Sequence, residues 1–269
     1  MNSRLTSDRG LRHSDASPEA RQWVTISIVS HGQLTLIKPL LKQIDRYCRT
    51  LVDRVVLTIN VPEPDVLAGS NWGFPLERVV NPVPLGFGAN HNQAFVRCRS
   101  PWFLVLNPDV RLEDDAIGML IAAARPRAGV LAPRVHEPGS DAPLPHRRLI
   151  TPAEILGRRR RGHVPPAQPD WIAGLFMLFR NEVFRTLGGF DARRYFMYGE
   201  DFDICARLRL AGWGIQVDES CRVLHQAQHA SHRDARHLRW HITSLLKLWG
   251  SAAFWSYRRL LRAEAAGRR

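Results

Sequence analysis

The first half of the chain alternates between two hydrophobic periods. Short apolar runs rich in β-branched residues are separated by segments whose apolar residues recur every three or four positions. The runs are typical of buried strands, and the recurring positions are typical of helices. The predicted strands are residues 23–30, 54–60, 78–80, 102–107 and 129–133, and the predicted helices are 34–48, 88–98 and 113–124. This alternation favours an α/β fold with a Rossmann-like, mostly parallel central sheet flanked by helices.

The second half begins with a break in this pattern. Residues 134–170 are rich in Pro, Arg and Gly and have little periodicity, which predicts a long irregular loop. The predicted elements after it are strands at 171–180, 215–217 and 222–225 and helices at 181–188 and 204–214. A basic, Trp-containing helical segment ends the chain. The predicted organisation is a flexible tail at 1–22, one domain at 23–230 and a basic helical tail at 231–269.

Composition narrows the class of protein. Hydrophobic residues make up 45% of the 269 positions, which is enough for a large core and excludes global disorder. The four cysteines have no paired spacing, so we expect reduced thiols in a cytosolic protein. Residues 1–22 lack the apolar core of a signal peptide, and no apolar run is long enough to span a bilayer. We expect a cytoplasmic protein, attached at most to the inner membrane face.

The formal net charge of +13 indicates an anionic partner. Nine Lys or Arg residues against two acids lie in 232–269, and four consecutive arginines lie in "GRRRRG" (157–162). Nucleic acid, anionic lipid headgroups and a diphosphate-bearing substrate all fit this charge, as does a simply solvated arginine face. Neither basic segment is accompanied by RNA-recognition aromatics or a helix-turn-helix pattern, so nucleic acid is not the expected partner.

Polar residues follow three of the predicted strands. They are Ser30 with His31, Asn60, and the segment Asn107-Pro108-Asp109. Ligands of doubly wound sheets bind outside the carboxyl ends of the strands, although each of these residues taken alone is also ordinary turn chemistry. The glycines of "GFG" (86–88) precede a helix and could expose backbone N–H groups to a phosphate, but their spacing matches neither common nucleotide motif.

Three acids lie in the otherwise apolar stretch "FMYGEDFDIC" (196–205). If a helix begins near Gly199, Asp201 shares a face with Ile204 and Leu208 and points into a cleft. Acids in the first turn of a helix are also ordinary partners of its dipole. The pattern therefore leaves a capping role and a role as a base both open.

Taken together, seven segments resemble glycosyltransferase family 2, with its nucleotide-sugar-binding GT-A fold, and most closely its bacterial rhamnosyltransferase-like members. The segments are "ISIVSHG", "VVLTIN", "PLGFGANHNQAF", "WFLVLNPDV", "DWIAGLFMLFRNEVFRTLGGFD", "YFMYGEDFDICARLRLAGW" and "VLH". They cover roughly residues 23–230 in order. The run from Asp170 to Trp213 is the most specific, because several independent features occur there at the family's spacing.

The resemblance implies a role for each matching residue. Asp201, paired with Glu200, stands at the catalytic base; Asp109 stands at the metal-binding acid; and His225 stands where a histidine completes a Mg²⁺ or Mn²⁺ site. The implied acceptor-binding residues are Trp171 and Gly174. The implied donor-binding residues are Ser30, Asn60, Gly86, Gly88, Asn92 and Asn107.

The same resemblance implies a reaction. It is the inverting transfer of a sugar from a nucleotide-diphosphate donor, with dTDP-rhamnose as the leading candidate, to a hydroxyl of a cell-envelope glycan or lipid-linked acceptor. The Gln-x-x-Arg-Trp motif of processive synthases is not evident, which favours transfer of a single sugar. The basic loop at 147–161 and the segment "LLKLWGSAAFWSYRRLL" (245–261) are candidates for contact with an acceptor or a membrane surface. Alternatively, the aromatic residues of that segment pack the tail onto the domain.

Two rival functions stay open. Asn107 occupies the first position of the family's Asp-x-Asp motif, and a neutral amide there leaves room for a non-catalytic GT-A protein that binds polyanions. A sugar nucleotidyltransferase on a similar sheet should carry a Gly-rich, basic phosphate signature after the first strand, and "SHGQLTLIK" has none. Hydrolysis of a nucleotide sugar in the presence of Mn²⁺ separates an enzyme from the binding protein.

Overall fold

The structure is a computed structural model, and it describes residues 23–158, 160, 162–226 and 235–267. The strands are β1 (Val24–Ser30), β2 (Val52–Ile59), β3 (Leu76–Val80), β4 (Trp102–Leu106), β5 (Val110–Arg111), β6 (Ala128–His136), β7 (Phe176–Arg180) and β8 (Gly214–His225). The helices are α1 (Leu34–Tyr47), α2 (Phe87–Phe95), α3 (Ala116–Ala122), α4 (Pro152–Gly157), α5 (Asn181–Thr186), α6 (Glu200–Leu210), α7 (Ala235–Trp249) and α8 (Ala252–Ala266).

The strands form one mixed sheet in the order β3-β2-β1-β4-β7-β6-β8-β5. The first four of these strands are parallel to one another, so the carboxyl ends of β1, β2 and β4 meet at one edge. The strand β7 then enters antiparallel between β4 and β6, and β5 pairs antiparallel with β8. The predicted α/β sheet with flanking helices is confirmed. Its parallel pairings are those among the N-terminal strands and the pairing of β6 with β8.

Both faces of the sheet are buried, as alternation along β4 shows. Leu104 and Leu106 belong to one hydrophobic core, whereas Phe103 and Val105 belong to the other, because successive side chains of a strand point to opposite faces. A strand covered by helices on both sides has no polar face, which explains the continuous apolar run in the sequence. All four cysteines are buried as free thiols.

Three elements differ from the sequence prediction. The predicted strand at 171–180 begins only at Phe176, and the two predicted strands at 215–217 and 222–225 are parts of the single strand β8. The segment 134–170 is less irregular than predicted. It holds the end of β6, the short helix α4 and an isolated antiparallel pairing of Arg147 with Trp171.

The C-terminal helices pack on the domain. Phe254 and Tyr257 of α8 are buried against Phe202 of α6, with ring centroids 5.9 and 6.1 Å away, and Arg209 of α6 forms an ion pair with Glu264 of α8. The alternative in which tail aromatics are core residues holds for Phe254 and Tyr257, whereas Trp255 is 47% exposed. Residues 1–22 and 227–234 lie outside the described residues, so the predicted N-terminal tail and the boundary at 231 stay predictions. Among the described helices, none has the length and apolar character needed to cross a bilayer.

Candidate active site

A cavity of about 420 Å³ opens beside the start of α6. Its walls come from the first residues of α6, the segment 171–175, the helix α4 with its flanks, and α7. Five of the residues predicted from sequence line it, and they are Asn107, Trp171, Gly174, Glu200 and Asp201. The opposite wall is apolar and contains Ile150, Ile155, Leu245 and Leu248. Concave sites of this size, mainly apolar with a few convergent polar groups, are typical of small-molecule binding.

Asp201 is held rigidly on the cavity wall. Its Oδ1 accepts a hydrogen bond from the Phe202 backbone N–H at 2.8 Å, and its Oδ2 accepts one from the Gly174 N–H at 3.3 Å. Burial raises the pKa of Asp201, while the Arg147 guanidinium and these backbone N–H groups act in the opposite direction. The carboxylate is therefore oriented, partly desolvated and surrounded by groups that favour its charged form.

Glu200 precedes it and is almost fully buried, at 4% exposure. Burial first, and the neighbouring Asp201 second, raise the pKa of Glu200 to about 8. Its Oε2 has no hydrogen-bond partner among the described residues. Two adjacent carboxyls cannot both ionise easily in such a site, and the raised pKa of Glu200 favours a proton on that residue at neutral pH.

An unusual backbone precedes α6 and presents these acids. Tyr198 and Gly199 both have positive φ, 69° and 88°, and such a conformation is strained for tyrosine. The Tyr198 ring stacks on His241 of α7, with centroids 3.5 Å apart. Nearby, a Cβ on Gly174 would lie 2.8 Å from the Phe87 ring, so only glycine permits this approach. The acids therefore lie where three parts of the fold converge, namely the loop that precedes α6, the helix α2 and the helix α7.

The predicted metal-site residues also come together. Asp109 follows β4 and His225 ends β8, and the β5–β8 pairing brings Asp109 Oδ2 within 3.2 Å of His225 Nε2. The Asp109 Oδ1 and His225 Nδ1 atoms are buried without a hydrogen-bond partner among the described residues. No third His, Cys, Asp or Glu completes a cluster around them in the described part of the chain. The pair fits a Mg²⁺ or Mn²⁺ that takes its other ligands from water and a bound diphosphate.

Asn60, predicted to bind the donor, belongs to a buried amide network. Its Oδ1 accepts from the Leu85 N–H and from Asn81 Nδ2, both at 2.8 Å, and its Nδ2 donates to the Leu85 carbonyl at 3.0 Å. Asn81 also donates to Asn90 Oδ1 of α2. Ser30 is likewise buried, and its Oγ accepts from the Gln33 N–H at 3.0 Å. These residues shape the edge of the sheet where β1 and β2 end, and their contact with a donor stays a prediction.

The predicted residues of α2 hold that helix against the segment after α5. Asn92 Oδ1 accepts a hydrogen bond from the Phe190 N–H at 2.9 Å, and its Nδ2 donates one to the Phe190 carbonyl at 2.8 Å. The side-chain amide thus forms two hydrogen bonds with the same residue. A Cβ on Gly88 would lie 2.7 Å from Phe190 Cβ, and one on Gly86 would lie 2.3 Å from the Phe196 carbonyl oxygen. In this structure all three positions serve close packing, and their role in donor binding also stays a prediction.

Comparison with protein families gives a match over residues 68–188, to a model described as glycosyl transferase family 2. The match covers a little less than half of the chain. The resemblance to this family predicted from the sequence segments is thereby confirmed. The match spans α2, the Asn107-Pro108-Asp109 segment and β7, which are the elements that bring Asn107, Trp171 and Gly174 to the cavity.

Proteins with sequences similar to this chain include rhamnosyltransferases. The N-acetylglucosaminyl-diphospho-decaprenol L-rhamnosyltransferase of Mycobacterium tuberculosis is 36% identical over 162 residues, covering 52% of each chain. The rhamnosyltransferase WbbL of Escherichia coli strain K12 is 40% identical over 79 residues, covering 29% of this chain and 30% of WbbL. The chain spans about half the length of the first of these relatives and less of the second.

Solved structures similar to this chain share its GT-A fold. The mannosyltransferase PcManGT from Pyrobaculum calidifontis, in complex with GDP-Man and Mn²⁺, superposes with a TM-score of 0.60 at 16% identity. That match covers 93% of this chain and 76% of PcManGT. GalNAc-T7 with UDP, GalNAc and Mn²⁺ also gives a TM-score of 0.60 at 16% identity, covering 78% of this chain and 44% of that one. At these identities the likeness shows the fold alone.

Sequence reasoning missed four residues that line the cavity. Arg147, Arg158, His241 and Ser244 line the cavity although no motif pointed to them individually. The only signal for the two arginines was the basic character of the segment from 147 to 161. The contribution of α7 had no signal, because it depends on how the tail folds back onto the domain.

Proposed function

We propose that this glycosyltransferase moves a single rhamnosyl group from dTDP-rhamnose to a hydroxyl of a lipid-linked cell-envelope acceptor, with inversion at the anomeric carbon. The observation that carries the proposal is the acid pair Glu200–Asp201 at the head of α6, facing a cavity that Asn107, Trp171 and Gly174 also line. The names of the M. tuberculosis and E. coli relatives support the sugar and the class of acceptor.

Asp201 is the general base of this proposal. Its two backbone hydrogen bonds and the nearby Arg147 favour its charged form, while burial raises its pKa and strengthens it as a base. The acceptor hydroxyl gives its proton to Asp201 as its oxygen attacks the anomeric carbon. The bond from that carbon to the nucleoside diphosphate breaks, and the diphosphate leaves with the electron pair. A single displacement of this kind inverts the anomeric centre.

Glu200 supports the base without replacing it. Because its pKa is raised to about 8, its carboxyl is neutral at pH 7 and adds no second negative charge beside Asp201. A charged Glu200 would repel both Asp201 and the departing diphosphate. In this proposal Glu200 is a positioning residue.

We further propose that Asp109 and His225 hold a divalent cation. Their adjacent side chains and unpaired buried atoms, Asp109 Oδ1 and His225 Nδ1, support this assignment. When bound, Mg²⁺ or Mn²⁺ acts as a Lewis acid that offsets the negative charge of the leaving diphosphate. Asn107, two residues before Asp109, lines the cavity with its neutral amide and is suited to orient the donor by hydrogen bonding.

We also propose peripheral attachment at the cytoplasmic membrane face, through α7. Leu238, Ile242 and Leu246 are spaced four residues apart and are 62%, 52% and 62% exposed, so they form one exposed stripe. Arg239 and Lys247 lie on the same helix and are exposed. An apolar stripe bordered by cations on an amphipathic helix is suited to a bilayer with anionic headgroups. The inward residues of α7 line the cavity, so the helix that carries this surface also forms a wall of the site proposed for the lipid-linked acceptor.

A donor and acceptor assay tests the proposed function. The purified chain is incubated with dTDP-rhamnose, UDP-sugars or GDP-sugars and Mn²⁺, together with a short prenyl-diphosphate-linked N-acetylglucosamine, and products are identified by mass spectrometry. We expect one rhamnose to be added, and we expect dTDP-rhamnose to raise the melting temperature. Absence of both transfer and donor hydrolysis with every nucleotide sugar would refute the proposal and favour the non-catalytic polyanion-binding protein.

A further inference from the structure

Arg147 is fixed on the wall of the cavity by its surroundings. Its backbone pairs with that of Trp171, and its carbonyl accepts a hydrogen bond from the Asp170 N–H at 2.8 Å. Its guanidinium lies over the Trp171 ring, 4.8 Å from the centroid, which is a cation–π distance. The side chain is exposed to the cavity and lies near Asp201.

Arg158 approaches the same space from the end of α4. The helix begins at a Thr151 cap, whose Oγ1 accepts from the Glu154 N–H at 3.0 Å, and its Ile155 also faces the cavity. Arg147 and Arg158 line both this cavity and an adjoining one, and their charges repel each other. Within the described residues, neither has a carboxylate at ion-pair distance, and each is exposed. Two converging guanidinium groups that are not held in an ion pair form a site for an anion with several oxygens.

We propose that Arg147 and Arg158 bind the diphosphate of the lipid-linked acceptor, on the wall across from the sheet edge predicted for the donor. This inference rests on the proposed function and names the part of the acceptor that the cavity recognises. The planar fork of arginine matches phosphate oxygens in a bidentate manner, and two forks suit two linked phosphates.

The shape of the cavity assigns the arginines to the acceptor. The residues predicted to contact the donor lie at the ends of β1, β2 and β4 and in α2 with its cap, and of these only Asn107 lines the cavity. From Arg158 the wall continues over Ile150, Ile155 and Leu245 towards α7, whose exposed stripe lies beyond. A diphosphate at the arginines therefore places a lipid chain along apolar surface on one side. On the other side it places the linked sugar towards Asp201.

Direct binding measurements on the full chain test the site. The probes are farnesyl diphosphate, inorganic pyrophosphate and dTDP, measured by isothermal titration calorimetry. In the double variant Arg147→Met, Arg158→Met, we expect farnesyl diphosphate to bind on the order of 10–100-fold more weakly, since two charge-assisted contacts are lost. We expect inorganic pyrophosphate to compete with farnesyl diphosphate in the unchanged protein, and dTDP affinity to change less than about twofold. The matched control is Arg127→Met, Arg193→Met, which removes two exposed arginines outside the cavity lining and should leave all three affinities unchanged.

Two outcomes would overturn the inference. One is an unchanged affinity for farnesyl diphosphate in the double variant; the other is a selective loss of dTDP affinity, which would assign the arginines to the donor. The variant Arg147→Lys, Arg158→Lys keeps both charges, and we expect it to recover part of the farnesyl diphosphate binding. Such recovery would show that the weaker binding of the Met variant does not come from misfolding. The binding assay needs no turnover. Arginine-dependent binding without rhamnosyl transfer would therefore retain this site while refuting the proposed function.

Discussion

Replacing Glu200 with glutamine should make the protein more stable at neutral pH. Glu200 has an ordinary pKa of 4.5 when exposed and a pKa of about 8 in the fold, because burial and Asp201 both disfavour its charge. Below pH 4.5 the carboxyl is protonated in the folded and the unfolded chain alike. As the pH rises from 4.5 towards 8, only the unfolded chain loses this proton, so the folded state loses stability over that window and nothing further is lost above it.

The magnitude follows from the size of the shift. A pH of 7 lies about 2.5 units above the ordinary pKa of 4.5. At about 1.36 kcal/mol per unit, the folded state has lost about 3 kcal/mol of stability at that pH. Glutamine has nearly the same shape as the protonated acid and does not titrate. The stability difference between Glu200→Gln and the unchanged protein should therefore rise from near zero at pH 4.5 to about 3 kcal/mol at pH 7, and level off near pH 8.

Urea unfolding followed by tryptophan fluorescence measures this difference, since the chain has eight tryptophans. The matched control is Glu137→Gln, an exposed glutamate for which the difference should stay near zero throughout. The variant Asp201→Asn should narrow the pH range over which stability is lost, because it removes one of the two causes that raise the pKa of Glu200. A stability difference independent of pH, or a Glu200→Gln variant less stable than the unchanged protein at pH 7, would refute the description of Glu200 as a buried neutral acid.

Three further predictions follow from the proposed function. Asp201→Asn should lower turnover by about 10²–10⁴-fold while leaving dTDP-rhamnose binding nearly unchanged in calorimetry, because general-base catalysis is lost and the donor contacts remain. Addition of EDTA should abolish transfer, and Asp109→Ala should weaken Mn²⁺-dependent donor binding in a thermal-shift titration. Serine substitution of the three residues of the exposed stripe should reduce co-sedimentation with vesicles containing phosphatidylglycerol, because apolar area is lost from the membrane contact.

Each of these predictions has an outcome that contradicts it. Near-normal turnover of Asp201→Asn would refute the assignment of Asp201 as the general base. Full activity in EDTA would refute the requirement for a metal ion. For the stripe, the control variant carries serine at three exposed apolar residues elsewhere, namely Val80, Val96 and Leu210. Equal vesicle binding by the stripe variant and this control would show that α7 is not the contact.

Local sequence pattern was sufficient to predict the N-terminal half of the sheet. The strands β1 and β4 and the second half of β2 are buried on both faces, so their sequences are rich in apolar and β-branched residues and can be recognised without tertiary information. The strand β8 was predicted as two strands because exposed polar residues at 219–220 interrupt its apolar pattern, although its pairing with β6 resumes after a register shift. The tail contains two helices because Ser251 caps α8, accepting a hydrogen bond from the Phe254 N–H at 3.1 Å.

The candidate site was predictable only where a family pattern existed. Asp109 and His225 are 116 positions apart, and only the β5–β8 pairing brings them into contact, so their spacing alone carries no signal. Asp201 could be placed by its motif. The position of Arg147 depends on the isolated pairing with Trp171 inside an aperiodic segment, which no periodicity analysis detects. Likewise, the amide network around Asn60 requires Asn81 and Asn90 to converge from a loop and a helix.

The packing of the C-terminal helices suggests how new specificities arise on this scaffold. The helix α7 supplies Ser244, Leu245 and Leu248 to the cavity, whereas the strand ends predicted to read the nucleotide belong to the N-terminal half of the chain. Substitutions along α7 can thus accumulate without disturbing either the nucleotide edge or the acids of α6. Homologues can therefore come to use different acceptors while keeping the same donor sugar. Exchanging residues 235–267 between homologues would be a direct way to change acceptor specificity alone.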